Sequence, residues 1–145
     1  MSPPLPEFRW PVRAYYEDTD ASGVVYHASY LHYFERARTE WLRAMGFSQH
    51  SLNQRLSVVF TVANLSVDYL RPARLDDELV VTVTVEHMRR ASLQFSQVLH
   101  RSADAGTPLA RARVRVGCVD VATFRPCALP EEFRTYVDRL QGASA

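Results

Sequence analysis

The chain has 145 residues, enough for one hydrophobic core without disulfides or metal to hold it. Hydrophobic residues make up 47% and the formal net charge is +1, which argues against disorder and gives no electrostatic case for nucleic acid or an anionic membrane surface. No stretch approaches the ~20 apolar residues of a membrane helix, and the proline-rich start, Met1 to Glu7, holds no apolar run for a signal peptide, so the cytoplasm is the expected compartment.

Residues 1–7 read as a tail. Phe8 to Tyr16 reads as the first strand, with Phe8, Trp10, Val12, Ala14 and Tyr16 on one face and Arg9 and Arg13 on the other. Pro11 cannot donate to a ladder and marks an edge position. Glu17 to His27 follows as a loop rich in turn and cap residues. Tyr30, Leu31, Phe34, Ala37, Arg38, Trp41, Leu42 and Met45 then recur at three- and four-residue spacing, which predicts a long helix closed by Gly46. Its stripe is broad enough to lie against a sheet.

The rest alternates. Val58, Phe60 and Val62 share one phase and Leu65, Val67 and Tyr69 the other, so a β-bulge is expected near Ala63 and Asn64. Leu79, Val81, Val83 and Val85 alternate with Val80, Thr82, Thr84 and Glu86. Leu93 and Phe95 open a further strand, which the Asp104-Ala105-Gly106 turn is expected to close. Ala110, Ala112, Val114, Val116 and Cys118 alternate with an outward row of Arg111, Arg113 and Arg115. A short helix starts near Pro130 and, with a tail, completes residues 130–145; Phe133, Tyr136, Val137 and Leu140 face inward. Cys118 and Cys127 lack zinc spacing and read as small apolar residues. Helix and strands come in separate blocks, so the chain is expected to form a single α+β domain with a mostly antiparallel sheet. One sheet around one helix leaves an edge open, so a homo-oligomer is expected.

The chemistry concentrates in Tyr15-Tyr16-Glu17-Asp18-Thr19-Asp20-Ala21-Ser22-Gly23-Val24-Val25-Tyr26-His27. The junction of strand and helix is a natural anion site, because the first helical N–H groups lack intrahelical partners and carry the positive end of the dipole. A carbonyl under attack develops negative charge that such groups stabilise. A nearby carboxylate can attack the carbonyl or activate water. The residues equally allow the aspartates to serve as helix caps. Asp18 and Asp20 lie two positions apart, where close carboxylates repel and raise one pKa, unless Asp18 merely closes a turn. Arg89 and Arg90 stand at a second candidate site, a turn that suits phosphate through guanidinium hydrogen bonds or is simply solvated.

This stretch, together with the helix Ala28 to Leu42 and the segments Phe8 to Arg13 and Pro72 to Asp77, resembles the 4-hydroxybenzoyl-CoA thioesterase family. The similarity is strongest to the Tol–Pal-associated acyl-CoA thioesterases of bacteria. The resemblance implies a hotdog fold, an antiparallel five-stranded sheet wrapped around a long central helix. It implies hydrolysis of acyl-CoA, with short acyl chains favoured and acyl carrier protein thioesters as a second substrate class. It assigns Asp20 as the catalytic carboxylate, Gly23 to the tight turn, and backbone N–H groups near Tyr26 and His27 to polarising the carbonyl. His27 is expected to cap the helix or orient substrate, with a direct acid–base role as the alternative. Arg89 and Arg90 fall on a basic turn near the coenzyme's phosphates, Ser92 on a hydroxyl position near the thioester, and Asp18 beside the acid. The subgroup usually has a further glycine where this chain has Ser22, and the family often has a third cation where it has Ala91. No metal or redox cofactor is called for. The implied assembly is a dimer of dimers with clefts between subunits. The alternative is a hotdog protein that binds acyl-CoA or acyl carrier protein, in envelope or lipid synthesis, without turnover.

Overall fold

A computed structural model describes residues 7–142. The expected tail residues 1–6 and the end of the chain, 143–145, lie outside the described residues. In chain order the elements are β1 (Phe8–Arg13), a 3-10 turn (Tyr16–Asp18), α1 (Ser29–Ala44), α2 (Gln49–Leu56), β2 (Val58–Tyr69), β3 (Glu78–Met88), β4 (Ser92–Arg101), β5 (Asp104–Asp120) and α3 (Glu131–Gly142). The five strands form one sheet in the order β1-β3-β4-β5-β2, every neighbouring pair antiparallel. This is the expected α+β architecture, and Pro11 does sit on an edge strand.

The inward faces follow the alternation. Leu79, Val81 and Val83 on β3, Leu93, Phe95 and Leu99 on β4, and Ala110, Ala112 and Val114 on β5 are buried. Against them lie Tyr30, Tyr33, Phe34, Ala37, Trp41 and Leu42 of α1. Gly46 ends α1 at φ +89°, the left-handed conformation that glycine adopts without a Cβ clash. The register of β2 against β5 slips between Val62 and Asn64, where the phase flip placed the bulge. α3 packs Phe133 into an aromatic cluster with Trp41, Phe47 and Phe60 at centroid distances of 6.1, 5.5 and 5.2 Å.

Four details depart from the sequence reading. β1 stops at Arg13, and Tyr16 is 82% exposed instead of inward. The Asp18 carboxylate accepts the Tyr15 N–H at 2.8 Å and curls the chain into the 3-10 turn before a further strand residue can pair. The β4–β5 turn falls at residues 102–103 and Asp104 already pairs with Arg101, because a two-residue loop closes the hairpin. The slack is absorbed by register shifts at His100, opposite Pro108, which has no N–H to give the ladder. α2 was not expected from the sequence. It is set by Ser48 and Ser51, which cap each other's backbone N–H at 3.0 Å, and it buries only Leu52.

A buried amide ties α1 to the sheet. Gln97 takes an inward position on β4 where the alternation calls for an apolar side chain, and it is fully buried. Its Nε2 donates to Phe34 O at 3.0 Å and its Oε1 accepts from Arg38 Nη1 at 3.0 Å. Both ends of the amide are therefore used, as burial requires.

Candidate active site

The loop from Thr19 to Val25 is a miniature hairpin. Thr19 bridges Val25, Asp20 N donates to Val24 O at 3.0 Å, and Gly23 N donates to Asp20 O at 3.1 Å. Gly23 sits at φ +83° in open space, so the turn needs glycine for its backbone angle and not for room. The hairpin is fastened to the segment before β3, where Val25 N donates to Ala73 O at 2.8 Å and Leu75 N to Gly23 O at 3.2 Å. Asp18, Asp20, Gly23, Tyr26 and His27 are thereby brought together at the start of α1.

Asp20 does not cap that helix. Oδ1 of its carboxylate accepts from Ser22 N at 2.8 Å and from Ser22 Oγ at 2.5 Å. The Ser22 hydroxyl, followed by its N–H, holds the Asp20 carboxyl below its ordinary 3.8. This is opposite to the rise that carboxylate repulsion would give. Oδ2 of Asp20 has no hydrogen-bond partner among the described residues, and the side chain is exposed. Ser22, the residue that departs from the usual glycine, thus supplies one of the two bonds that fix the acid. Asp18 has the turn role, through the Tyr15 N–H.

The N-cap of α1 is Ala28, with no side-chain cap; in the first turn Ser29 N donates to Tyr26 O at 2.8 Å and Leu31 N to Ala28 O at 3.1 Å. The Tyr26 N–H is committed to Asp18 O at 2.8 Å, which removes Tyr26 from the two expected backbone donors. The His27 N–H has no backbone acceptor among the described residues. His27 does not cap α1. Its ring lies 4.4 Å from that of Tyr26 and 6.5 Å from that of Tyr69, and its carbonyl accepts the Tyr69 hydroxyl at 2.7 Å. Desolvation, with Tyr30 alongside, pushes the Tyr69 phenol up and keeps it a donor. Tyr30 meets Tyr69 edge-on at 5.0 Å and accepts Ala73 N at 2.9 Å. Sequence reasoning missed this aromatic bracket; Tyr69 stood there only as one residue of a strand phase.

Arg89, Arg90 and Ser92 do not join this cluster within one chain. Arg89 and Arg90 are exposed in the β3–β4 turn, closed by Arg89 N donating to Ser92 O at 2.8 Å. Asp20 lies near the Glu78 end of β3 and the turn follows Met88, so a strand length of roughly 33 Å separates the two ends of the sheet. A groove of about 140 Å³ opens between α1, α2 and β2, lined by Arg38, Thr39, Trp41, Phe60, Val62 and Phe95 among others. Arg38 is about 14 Å along the helix from Ser29. Among the described residues no group of acidic, histidine or cysteine side chains could hold a metal ion. No helix among them is long and apolar enough to cross a membrane.

Known proteins match this arrangement. A family model described as the thioesterase-like superfamily covers residues 15–137. The acyl-CoA thioesterase YbgC of Haemophilus influenzae is 46% identical over 92% of this chain and 96% of its own. The acyl-CoA thioester hydrolase YbgC of Escherichia coli is 51% identical over 86% of this chain and 90% of its own. The crystal structure of a probable thioesterase from Bartonella henselae superimposes with a TM-score of 0.80 at 30% identity, over 86% of this chain and all of that one. With the sheet, the central helix and the Asp20 hairpin in place, the chain belongs to the thioesterase-like superfamily of hotdog proteins.

Proposed function

We propose that the protein hydrolyses acyl-CoA thioesters, with Asp20 as nucleophile or general base. The observation that carries this reading is a carboxylate fixed through one oxygen by Ser22, with the other oxygen open, in the loop that feeds an uncapped helix start. The YbgC relatives, described as acyl-CoA thioesterases, support the substrate class. Asp20 attacks the thioester carbonyl or takes a proton from the attacking water. The oxyanion gains from the His27 N–H and the α1 dipole. Tyr69, through its bond to the His27 carbonyl, ties down the peptide that follows the one presenting that N–H. The thiolate of coenzyme A leaves, and water completes the free acid.

The groove beside β2 is the proposed acyl pocket. Short acyl chains are the substrates proposed for it. Acyl carrier protein thioesters present the same pantetheine arm and form the second substrate class.

The protein is proposed to work as a homo-oligomer. If two β2 edges pair antiparallel about a two-fold axis, one sheet is reversed relative to the other. The Asp20 end of one chain then lies beside the Arg89–Arg90 end of its partner. Each site takes its acid from one subunit and its phosphate-binding turn from the other.

Changing Arg89 and Arg90 together to alanine tests the coenzyme assignment. KM for acyl-CoA should rise on the order of tenfold with kcat nearly intact, since contacts far from the carbonyl count as uniform binding. The rise should vanish with an acyl-pantetheine thioester that lacks the nucleotide. Equal losses on both substrates would mean the arginines are structural.

Ser22→Gly tests the hold on Asp20. A carboxylate that must be ionised works above its pKa and fails as pH drops through it. Because Ser22 keeps that pKa below 3.8, kcat/KM should stay level into mildly acidic solution. Removing the hydroxyl should move the acid limb upward, toward the ordinary value. A limb at the same pH in both proteins would show that Asp20 does not control it.

A further inference from the structure

Cys118 and Cys127, the chain's two cysteines, stand in contact. Cys118 lies near the end of β5, and Cys127 lies on the segment that returns alongside it. Cys127 N donates to Cys118 O at 2.9 Å and Val119 bridges Pro126, so the two residues are directly opposite across an antiparallel pair. Their sulfurs are 3.6 Å apart. Residues facing each other in this way have Cα atoms about 4.5–5.5 Å apart, within the span a disulfide accepts. A bond needs the sulfurs to close from 3.6 Å to roughly 2.05 Å. Cys118 is buried, whereas Cys127 is half-exposed and open to a reagent.

The pair also supports the basic turn. Cys118 N donates to Ala91 O at 2.9 Å, and Leu129 N, two residues beyond Cys127, donates to Arg90 O at 2.8 Å. Arg134 Nη2 reaches Arg89 O at 2.5 Å. The strand and the return segment that carry the two thiols are the same two segments that hold the carbonyls of Arg90 and Ala91, while α3 holds that of Arg89.

We propose that Cys118 and Cys127 form a dithiol site that a small-molecule disulfide converts into an intramolecular cross-link. The Cys127 thiolate attacks one sulfur of the external disulfide, giving a mixed disulfide and releasing one thiol. Cys118, as thiolate, then attacks Cys127 Sγ and expels the second thiol. Two protein thiols are oxidised and one external disulfide is reduced to two thiols, so atoms and electrons balance. Burial, and then Cys127 itself, pushes the Cys118 thiol up to about 12. Burial still disfavours the Cys118 thiolate once Cys127 carries the external thiol, so closure quickens as pH rises.

The test treats the full chain with oxidised glutathione and follows intact mass, peptide mapping and thermal melting. A glutathione adduct on Cys127 should appear first and give way to a species two hydrogens lighter than the starting protein, faster at pH 9 than at pH 7. The cross-linked protein should melt roughly 5–10 °C higher, and reductant should erase the gain. Amide exchange at Cys127 and Leu129 should slow. In Cys118→Ser the adduct should form and persist; in Cys127→Ser neither product should appear. Thiols that stay free at pH 9, an adduct in the parent protein that never closes, or disulfides only between chains would each overturn the proposal. None of these readouts depends on thioesterase activity, so the site and the enzymatic reading stand or fall separately.

Discussion

Asp20→Asn is expected to lower kcat on the order of 10²–10⁴ and leave the fold intact. Asparagine keeps an oxygen that can still accept from Ser22 N and Oγ, so the hairpin should hold. It loses the negative charge, and with it the capacity to attack a carbonyl or take a proton from water. Since the Asp20 carboxylate does not cap α1, the change has no structural effect through that helix. Circular dichroism and melting should match the parent. Asp18→Asn should cost much less, because its carboxylate serves the Tyr15 N–H. If the two losses were reversed, the wrong aspartate would have been chosen.

Placing aspartate at both Ala63 and Leu65, exposed on β2 and outside the groove lining, should separate the subunits and reduce activity at least 10²-fold. β2 is an edge strand of 12 residues, and Val62, Leu65 and Tyr69 are 51, 39 and 47% exposed on it. A long apolar edge invites another strand, and natural edges that stay single carry charge there. The two substitutions add that charge without touching the Asp20 hairpin or the Arg89–Arg90 turn. Light scattering and thiol release should be measured on the same dilution series, with circular dichroism to show that the monomer is folded. A variant still assembled and active would place the interface elsewhere. A folded monomer with full activity would remove the two-chain site.

Strand faces and the long helix were legible in the sequence because alternation and three-to-four spacing are local and were not opposed. The bulge in β2 showed itself as a phase flip for the same reason. α2 was hidden because a helix that buries only Leu52 has no stripe to read, and its Ser48–Ser51 caps look like any serine-rich loop. Tyr16 was misplaced because its alternation with Ala14 is intact in sequence, and a single Asp18 hydrogen bond breaks it in three dimensions. At the site, the run before the helix marked only a strand-to-helix junction with acidic residues; the family resemblance singled out Asp20 and Gly23 within it. The Tyr69 bond to His27 crosses 42 positions, and the Gln97 bond to Arg38 crosses 59. Local patterns carry no record of such pairings. The contact of Cys118 with Cys127 was missed because it needs the return of the chain after Val119, which no periodicity announces.

The most direct measurement is release of free thiol by the purified protein from acyl-CoAs of increasing chain length, with the acid product measured alongside and Asp20→Asn as the blank. The account predicts catalytic turnover with one acid formed per thiol, strongest for short chains and lost in the blank. Saturable acyl-CoA binding without thiol release from any chain length, or equal release by the parent and Asp20→Asn, would contradict it.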